Sequence, residues 1–413
     1  MKILIVNKTD KEGGAARAAY RLHQALTSMD ISSQMLVQNK VINDLNIIGP
    51  TGKIKKIFSK IRPTIDSIPL KFYPNKDKTY FSISWFPFSN IIDQINAINP
   101  DIVHLHWISG GMFRLEEIKR IKAPIMWTLH DNMAFTGGCH IMWDCEKYLS
   151  SCEYCPRLNS NSKKDLSYFG WNRKKRIYDS IDNLIIVGLS NWITECSVNS
   201  TLLKSKKHFT LPNPIDTNIF KPISKQEARK LWNLPKDQKI VLFGASNATS
   251  DINKGFKELY NSILKLKDNN VELVIFGGNK PEQNIDFGYR THYVGILSDD
   301  ISLVALYNCA DVVVVPSLQE NLSNTIMESM SCGTAVVAFD TCGNNDLIKH
   351  KGNGYLARKY SSADMATGIE WILKNNKSKE CRDFICTNFD YKVVAKKYIN
   401  LYKKVLNDSN KFI

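Results

Sequence analysis

The 413-residue chain has no apolar stretch approaching the roughly 18–20 residues of a membrane-spanning helix. Its opening residues, Met1 to Asn7, hold one lysine and then four apolar positions, fewer than the roughly 7–15 of a secretory signal core. These two absences point to a cytoplasmic protein that is not integral to a membrane, with its ten cysteines mostly reduced thiols. Internal repeats and low-complexity tracts are missing as well, so collagen-like and disordered classes fall away. Acidic residues are in deficit: 40 Asp and Glu face 55 Lys and Arg, a formal net charge of +15. That excess favours an anionic partner, whether nucleic acid, an acidic membrane or a phosphate-bearing substrate. No helix-turn-helix, zinc-finger or aromatic–basic single-strand signature accompanies it, so no nucleic-acid partner is expected.

What the sequence does hold is a regular alternation of strand-like apolar runs with amphipathic, helix-like stretches. Strands are predicted at residues 2–7, 34–38, 101–104, 124–129 and 184–189, and again at 239–243, 271–276, 311–315 and 335–339. Val312-Val313-Val314-Val315 is apolar at every position, the mark of a strand buried on both faces of a parallel sheet. The chain is longer than one core usually organises. Alternation in both halves therefore predicts an α/β fold of two Rossmann-like, doubly wound domains facing across a cleft. Their junction falls in Leu211-Pro212-Asn213-Pro214-Ile215-Asp216, where two prolines exclude regular helix. The expected division is an acceptor-binding domain over 1–213, a donor-binding domain over 214–385, and a helix over 386–413 that packs back toward the first domain. Ligands of such sheets sit at the carboxyl ends of the strands, which makes the cleft the expected site.

Three segments stand outside this alternation, one of them the lysine-rich, tyrosine-containing helical stretch after about Cys386, which no strand follows. Residues 53–62, KIKKIFSKIR, place Ile54, Ile57, Phe58 and Ile61 at helical spacing with basic residues between them. Such a helix either lies on an anionic membrane surface or packs on its domain as a solvated helix. Residues 139–156 are cysteine-rich: Cys139, Cys145, Cys152 and Cys155 end in a Cys-x-x-Cys knuckle. One reading is a structural zinc site closed by these four thiolates; the others are reduced free thiols, or a disulfide if the compartment were oxidising.

The densest chemistry lies at residues 316–334, between two buried strands. Asn, Ser or Thr there can cap a helix starting near Asn324 or Thr325. Glu320 then sits in the loop at a strand's carboxyl end and Glu328 about one turn into the helix. Free N–H groups at the helix start can hold an anion, and a nearby carboxylate can accept hydrogen bonds from sugar hydroxyls. On spacing alone, Thr325 and Glu328 could equally form a capping box and Glu320 a surface loop position.

The segment from Glu320 to Glu328 resembles the E-x7-E motif of family 4 of the retaining glycosyltransferases, followed by Gly333-Thr334 and Val336-Val337 as in that family. Glu12-Gly13-Gly14-Ala15-Ala16-Arg17 resembles its glycine-rich loop after the first strand, although the full G-x-G-x-x-G pattern is absent. Asn213-Pro214-Ile215-Asp216 resembles the interdomain Asn-Gly-x-Asp signature, with Pro214 where glycine is usual. Phe243-Gly244 with Asn253-Lys254-Gly255-Phe256 resembles the donor-phosphate segment, and Gly352-Asn353-Gly354-Tyr355 a late glycine turn. The resemblance implies a GT-B fold and transfer of a sugar, with retention, from a nucleoside diphosphate sugar. No catalytic cofactor is expected.

Carried over residue by residue, Glu328 would bind the nucleotide ribose, Glu320 the transferred sugar and Lys254 the diphosphate. Gly13, Gly14, Asn321, Leu322, Ser323 and Asn324 would complete the donor site. The family's arginine before that lysine is missing; Ser246-Asn247-Ala248-Thr249 stand there instead. His130, ending the strand Trp127-Thr128-Leu129, would lie beside the reacting sugar, with Asp131 next to it. His104 and His106 are either lining for the acceptor or a satisfied polar pair. Gly137-Gly138-Cys139-His140 resembles a segment of the exopolysaccharide, colanic-acid-type subgroup, implying a glycan or lipid-linked glycan acceptor in surface polysaccharide or lipopolysaccharide synthesis. The protein would work at, or peripherally on, the inner face of the cell membrane. A nucleotide-sugar epimerase or other enzyme on the same fold is the alternative, and a basic nucleic-acid-binding protein is a more distant one.

Overall fold

A computed structural model describes residues 1–244, 250–278, 285–297 and 299–409. The chain divides into two compact units: Met1–Pro214 with Val394–Ile413, and Ile215–Val393.

Among the described residues the first unit carries one parallel sheet of β1 (Lys2–Thr9), β2 (Ser32–Asn39), β3 (Ile47–Ile48), β4 (Ile102–Leu105), β5 (Ile125–Leu129), β6 (Leu184–Gly188) and β7 (Lys207–Thr210), in the order β3-β2-β1-β4-β5-β6-β7. Its helices are α1 (Gly14–Thr27), α2 (Lys53–Asp66), α3 (Ile91–Ile98), α4 (Leu166–Tyr178) and α5 (Asn191–Asn199). Successive side chains of β1 enter opposite cores, Ile3 and Ile5 on one face and Leu4 and Val6 on the other, all fully buried. This is why the strand reads as an unbroken apolar run. Each such side chain contributes about 1.5–3 kcal/mol on burial. Side chains cap the later helices: the Asp165 carboxylate accepts the Tyr168 N–H at 3.0 Å, and Ser190 Oγ the Ile193 N–H at 3.3 Å.

The second unit repeats the plan with β8 (Lys239–Gly244), β9 (Val271–Phe276), β10 (Thr291–Gly295), β11 (Val312–Val315), β12 (Val336–Phe339) and β13 (Tyr355–Ala357), ordered β10-β9-β8-β11-β12-β13. Its helices are α6 (Lys225–Leu231), α7 (Phe256–Ile263), α8 (Asp300–Cys309), α9 (Asn324–Ser331), α10 (Asn344–Leu347), α11 (Ser362–Lys374) and α12 (Ser378–Phe389). In both sheets the order reverses beside the first strand of the unit, the doubly wound pattern. A last helix, α13 (Tyr391–Ser409), begins in the second unit and from Val394 belongs to the first. Its Val394, Tyr398 and Tyr402 are buried with Ile3, Ile5 and Leu22 in one core. Among the described residues no helix is long and apolar enough to cross a membrane.

Candidate active site

In the second unit β11 runs out at Val315, and the chain turns through residues 316–323 into α9. Ser323 is the cap: its Oγ accepts the Ile326 N–H at 3.3 Å, so α9 starts at Asn324. Asn321, Leu322 and Ser323 are buried beneath this turn. The turn is held by a neighbour. The Asn253 side chain donates to Gln319 O at 2.8 Å and accepts the Gln319 N–H at 3.1 Å, while Asn253 O accepts the Leu318 N–H at 2.9 Å. Gly343 N–H donates to Glu320 O at 2.9 Å from the other side.

That pinning brings Lys254 Nζ to 3.1 Å from Glu320 Oε2, both side chains being only partly exposed. The Glu320 carboxylate, outweighing burial, holds the Lys254 ammonium above its ordinary pKa, so a firmly charged cation stands at the loop. Gly255 follows at φ +72°, and a Cβ there would stand 1.9 Å from Pro316 O. No other residue fits the crossing of these two loops. Glu328 is buried one turn into α9, where Oε2 accepts a hydrogen bond from Tyr307 OH at 2.8 Å. Lys254, Glu320 and the Ser323-capped helix start thus form one cluster, with Glu328 on the same helix. Ser246-Asn247-Ala248-Thr249, where the family's arginine is missing, lies outside the described residues.

The first unit holds a second polar constellation. Gly13 caps α1 at φ +91° with open space around its missing Cβ, so its glycine is required by backbone conformation and not by close contact. Gly14 is the first residue of α1. His130 follows β5 and lies, through Nε2, 2.8 Å from His106 Nδ1. Burial lowers the His130 pKa to about 4, against a smaller opposing pull from Asp131, so the ring is neutral at physiological pH. His104 is not lining: fully buried, it meets Tyr402 OH at 2.8 Å through Nδ1 and Thr128 Oγ1 at 2.7 Å through Nε2. Its pKa is lowered to about 3, chiefly by burial.

Asp131 organises what lies beyond His130. Its carboxylate accepts from Trp107 Nε1 at 2.7 Å and from the Met133 N–H at 2.9 Å, and lies 2.6 Å from His140 Nδ1. Burial alone would raise its pKa, but the His140 contact and the donated hydrogen bonds hold it below the ordinary carboxylate value. His140 Nε2 in turn meets Ser82 Oγ at 2.8 Å. Tyr80 packs its ring on both His140 and Trp107, with centroids 4.8 and 5.5 Å apart. Tyr80 also borders a cavity of about 580 Å³ lined by Tyr73, Phe81, Lys71, Lys76 and Lys78, with Asp66 the acid among its lining. Lys71 and Lys78 have no ion-pair partner among the described residues. Aromatic walls and three cations suit a sugar carrying acidic groups.

Cys139, Cys152 and Cys155 are buried free thiols and Cys145 a half-buried one. Burial raises the pKa of the first three, Cys152 to about 12, although the Gly137 N–H reaches Cys152 Sγ at 3.1 Å. Among the described residues no group of three or more His, Cys, Asp or Glu is arranged to hold a metal ion. The zinc reading of these four cysteines therefore has no assembled ligand set behind it.

Sequence spacing had no means of linking Tyr307 to Glu328, or Trp107 and His140 to Asp131. Asn253 was inside a quoted motif, but its clamp on Gln319 needs the fold.

Residues 12–219 match the family Glycosyltransferase Family 4, and residues 224–387 the family Glycosyl transferases group 1. The chain is 29% identical over 208 residues to N,N'-diacetylbacillosaminyl-diphospho-undecaprenol alpha-1,3-N-acetylgalactosaminyltransferase of Campylobacter jejuni, covering 47% of this chain and about half, 53%, of that enzyme. It is 22% identical over 371 residues to Escherichia coli WcaC, named for glycosyl transfer in colanic acid biosynthesis, covering 85% of this chain and 86% of that one. Among solved structures, sucrose-phosphate synthase of Thermosynechococcus elongatus superposes with a TM-score of 0.68 at 18% identity, over 99% of this chain and 100% of that one. That likeness extends over both units and gives the fold as GT-B.

Proposed function

Because the chain belongs to glycosyltransferase family 4, we propose that it moves a sugar, with retention of configuration, from a nucleoside diphosphate sugar to a hydroxyl of a glycan or lipid-linked glycan. The observation that carries this reading is the Lys254–Glu320 pair at 3.1 Å beside the Ser323-capped start of α9. A cation and the positive end of a helix suit a diphosphate, and a carboxylate beside them suits sugar hydroxyls. In the proposed roles Lys254 meets the diphosphate, Glu320 the transferred sugar and Glu328 the ribose. Gly13 and Gly14 approach the donor with their backbone.

Lys254 then neutralises charge as the diphosphate departs, and the departing oxygen accepts the proton of the hydroxyl that attacks on the same face. The chain contributes orientation and preorganised charge. His130, neutral at physiological pH, serves as a hydrogen-bond partner to the reacting sugar and not as a proton donor. The acceptor occupies the cavity beside Tyr80. The names of the Campylobacter jejuni and Escherichia coli relatives, one for a diphospho-undecaprenol-linked acceptor and one for colanic acid, support a surface-polysaccharide acceptor.

A thermal-shift screen of nucleoside diphosphates tests the reading. One base should raise the melting temperature of the wild type, and Glu328→Ala, which also loses the Tyr307 hydrogen bond and so melts lower alone, should abolish that rise. No response to any nucleoside diphosphate would refute it.

A further inference from the structure

The helix α2 is built inside out. Its buried residues are Ser59, Arg62 and Asp66, all polar, while Ile54, Ile57, Phe58 and Ile61 are exposed, Ile54 at 85% and Ile57 at 59%. A surface helix of a soluble protein normally does the reverse. The inward face is anchored by hydrogen bonds. Arg62 donates to Gly111 O and, at 2.9 Å, to Phe88 O. The Asp66 carboxylate accepts the Trp85 and Phe86 N–H groups at 3.0 and 3.2 Å. Ser59 Oγ reaches Asn39 Oδ1 at 3.0 Å, and Ser59 O accepts from Gln38 Nε2 at 2.8 Å. Held in this way, the helix leaves its isoleucines to solvent; of the four apolar residues Phe58 also packs inward, on Phe86 with ring centroids 6.1 Å apart.

Those residues nonetheless form a continuous stripe. Ile54, Ile57, Phe58 and Ile61 recur at three- and four-residue spacing, and at the rise of an α-helix they span about 10 Å along one side of it. Ile68 and Phe72 in the following turn, the latter 83% exposed, extend the stripe. Lys53, Lys55, Lys56 and Lys60 flank it, and the helix's one acid, Asp66, is turned inward. The surface is therefore apolar along its ridge and uniformly cationic at its rim.

We infer that α2 is a membrane-docking surface, seating its apolar ridge among the acyl chains of a bilayer while its lysines meet anionic headgroups. The charge selects the occupant. A second copy of the chain would set four lysines against four, whereas an anionic bilayer complements both the ridge and the rim. The inference stands apart from the proposed function, since α2 carries none of the donor-site residues. It also bears on it. The cavity beside Tyr80 is bounded by Pro63 and Thr64, at the end of the same helix, and by Lys71 in the turn that follows, so an acceptor anchored in the bilayer would arrive at that wall.

Co-sedimentation of the full chain with vesicles tests this. Wild type should sediment with phosphatidylcholine vesicles containing phosphatidylglycerol, bind pure phosphatidylcholine about tenfold less, and be released by high salt. Ile54→Glu with Ile57→Glu should lower partitioning at least about tenfold, and Lys55→Glu with Lys56→Glu should do so on the anionic vesicles. Because all four positions are exposed, the variants should keep the wild-type melting temperature and the response to nucleoside diphosphate, which reports separately on the donor site. Wild type remaining in the supernatant with both vesicle types would overturn the inference. So would variants that bind as well as wild type, or a wild-type dimer that Ile57→Glu converts to monomer with no vesicle binding in either.

Discussion

Lys254 Nζ lies 3.1 Å from Glu320 Oε2 across 66 residues of sequence, joining the turn before α7 to the loop before α9. Each side chain fixes the other in place before any ligand arrives. Lys254→Ala should remove both the diphosphate's cation and the partner of Glu320, lowering kcat/KM by about 10²–10³-fold. Glu320→Gln, which keeps the shape and loses the charge, should cost less in binding of free nucleoside diphosphate than in transfer. Comparing kcat/KM with nucleoside diphosphate affinity in the two variants checks this.

Gly255 carries the crossing that makes this pair. With φ at +72° and Pro316 O 1.9 Å from any Cβ, Gly255→Ala must push the two loops apart. A loss of at least about 1–3 kcal/mol in urea unfolding is expected. Transfer should fall with it, even at urea-free temperatures where the variant remains folded.

Tyr307 reaches Glu328 from α8 at 2.8 Å. Tyr307→Phe keeps the packing and removes one donor to a buried carboxylate, which costs about 1–3 kcal/mol. Donor KM should rise about tenfold or more with a smaller change in kcat. Equal loss in both would assign the hydroxyl a part in the reaction itself.

The cavity beside Tyr80 predicts a different signature. Lys76→Glu or Lys78→Glu reverses the charge of a wall that suits acidic sugars. Acceptor KM should rise about tenfold or more, while donor KM stays within about twofold. Initial-rate kinetics varying each substrate in turn separate the two.

The buried histidines set a pH dependence for stability. Burial lowers His104 to about 3 and His130 to about 4, against about 6.5 in the unfolded chain. Below pH 6.5 the unfolded chain binds protons that the folded one refuses. The stabilisation is thus complete above pH 6.5 and is lost as pH falls toward 4, by at most about 1.4 kcal/mol per pH unit for each ring. Melting temperature should drop between pH 7 and 5, before most carboxylates titrate, and less steeply in His104→Gln.

The parts of the fold that could be seen in the sequence are the parts buried on both faces. β1, β5, β8, β9, β11 and β12 read as apolar runs because helices cover each side. The strands that spacing did not announce are β3, β7, β10 and β13, the outer strands of the two sheets. β7 reads Lys207-His208-Phe209-Thr210 with its ends exposed, and no residue of β10 is fully buried. An edge strand has one neighbour and partial cover, so its composition carries little signal. The site divides along similar lines. Glu320 and Glu328 belong to one local loop and helix, where order along the chain is enough. His104 looked the same as His106 at period two, yet Tyr402, 298 residues away, holds it inside the core.

That last contact has a consequence for synthesis. The first unit is made from two stretches of chain with the whole second unit translated between them. Until Tyr398 and Tyr402 leave the ribosome, one face of its sheet is covered by α1 alone, and Ile3, Ile5 and Leu22 lack part of their packing. The second unit, a single stretch, can complete its fold earlier. The first unit is thus completed only after the second has been made, and in that interval part of an apolar face stays uncovered.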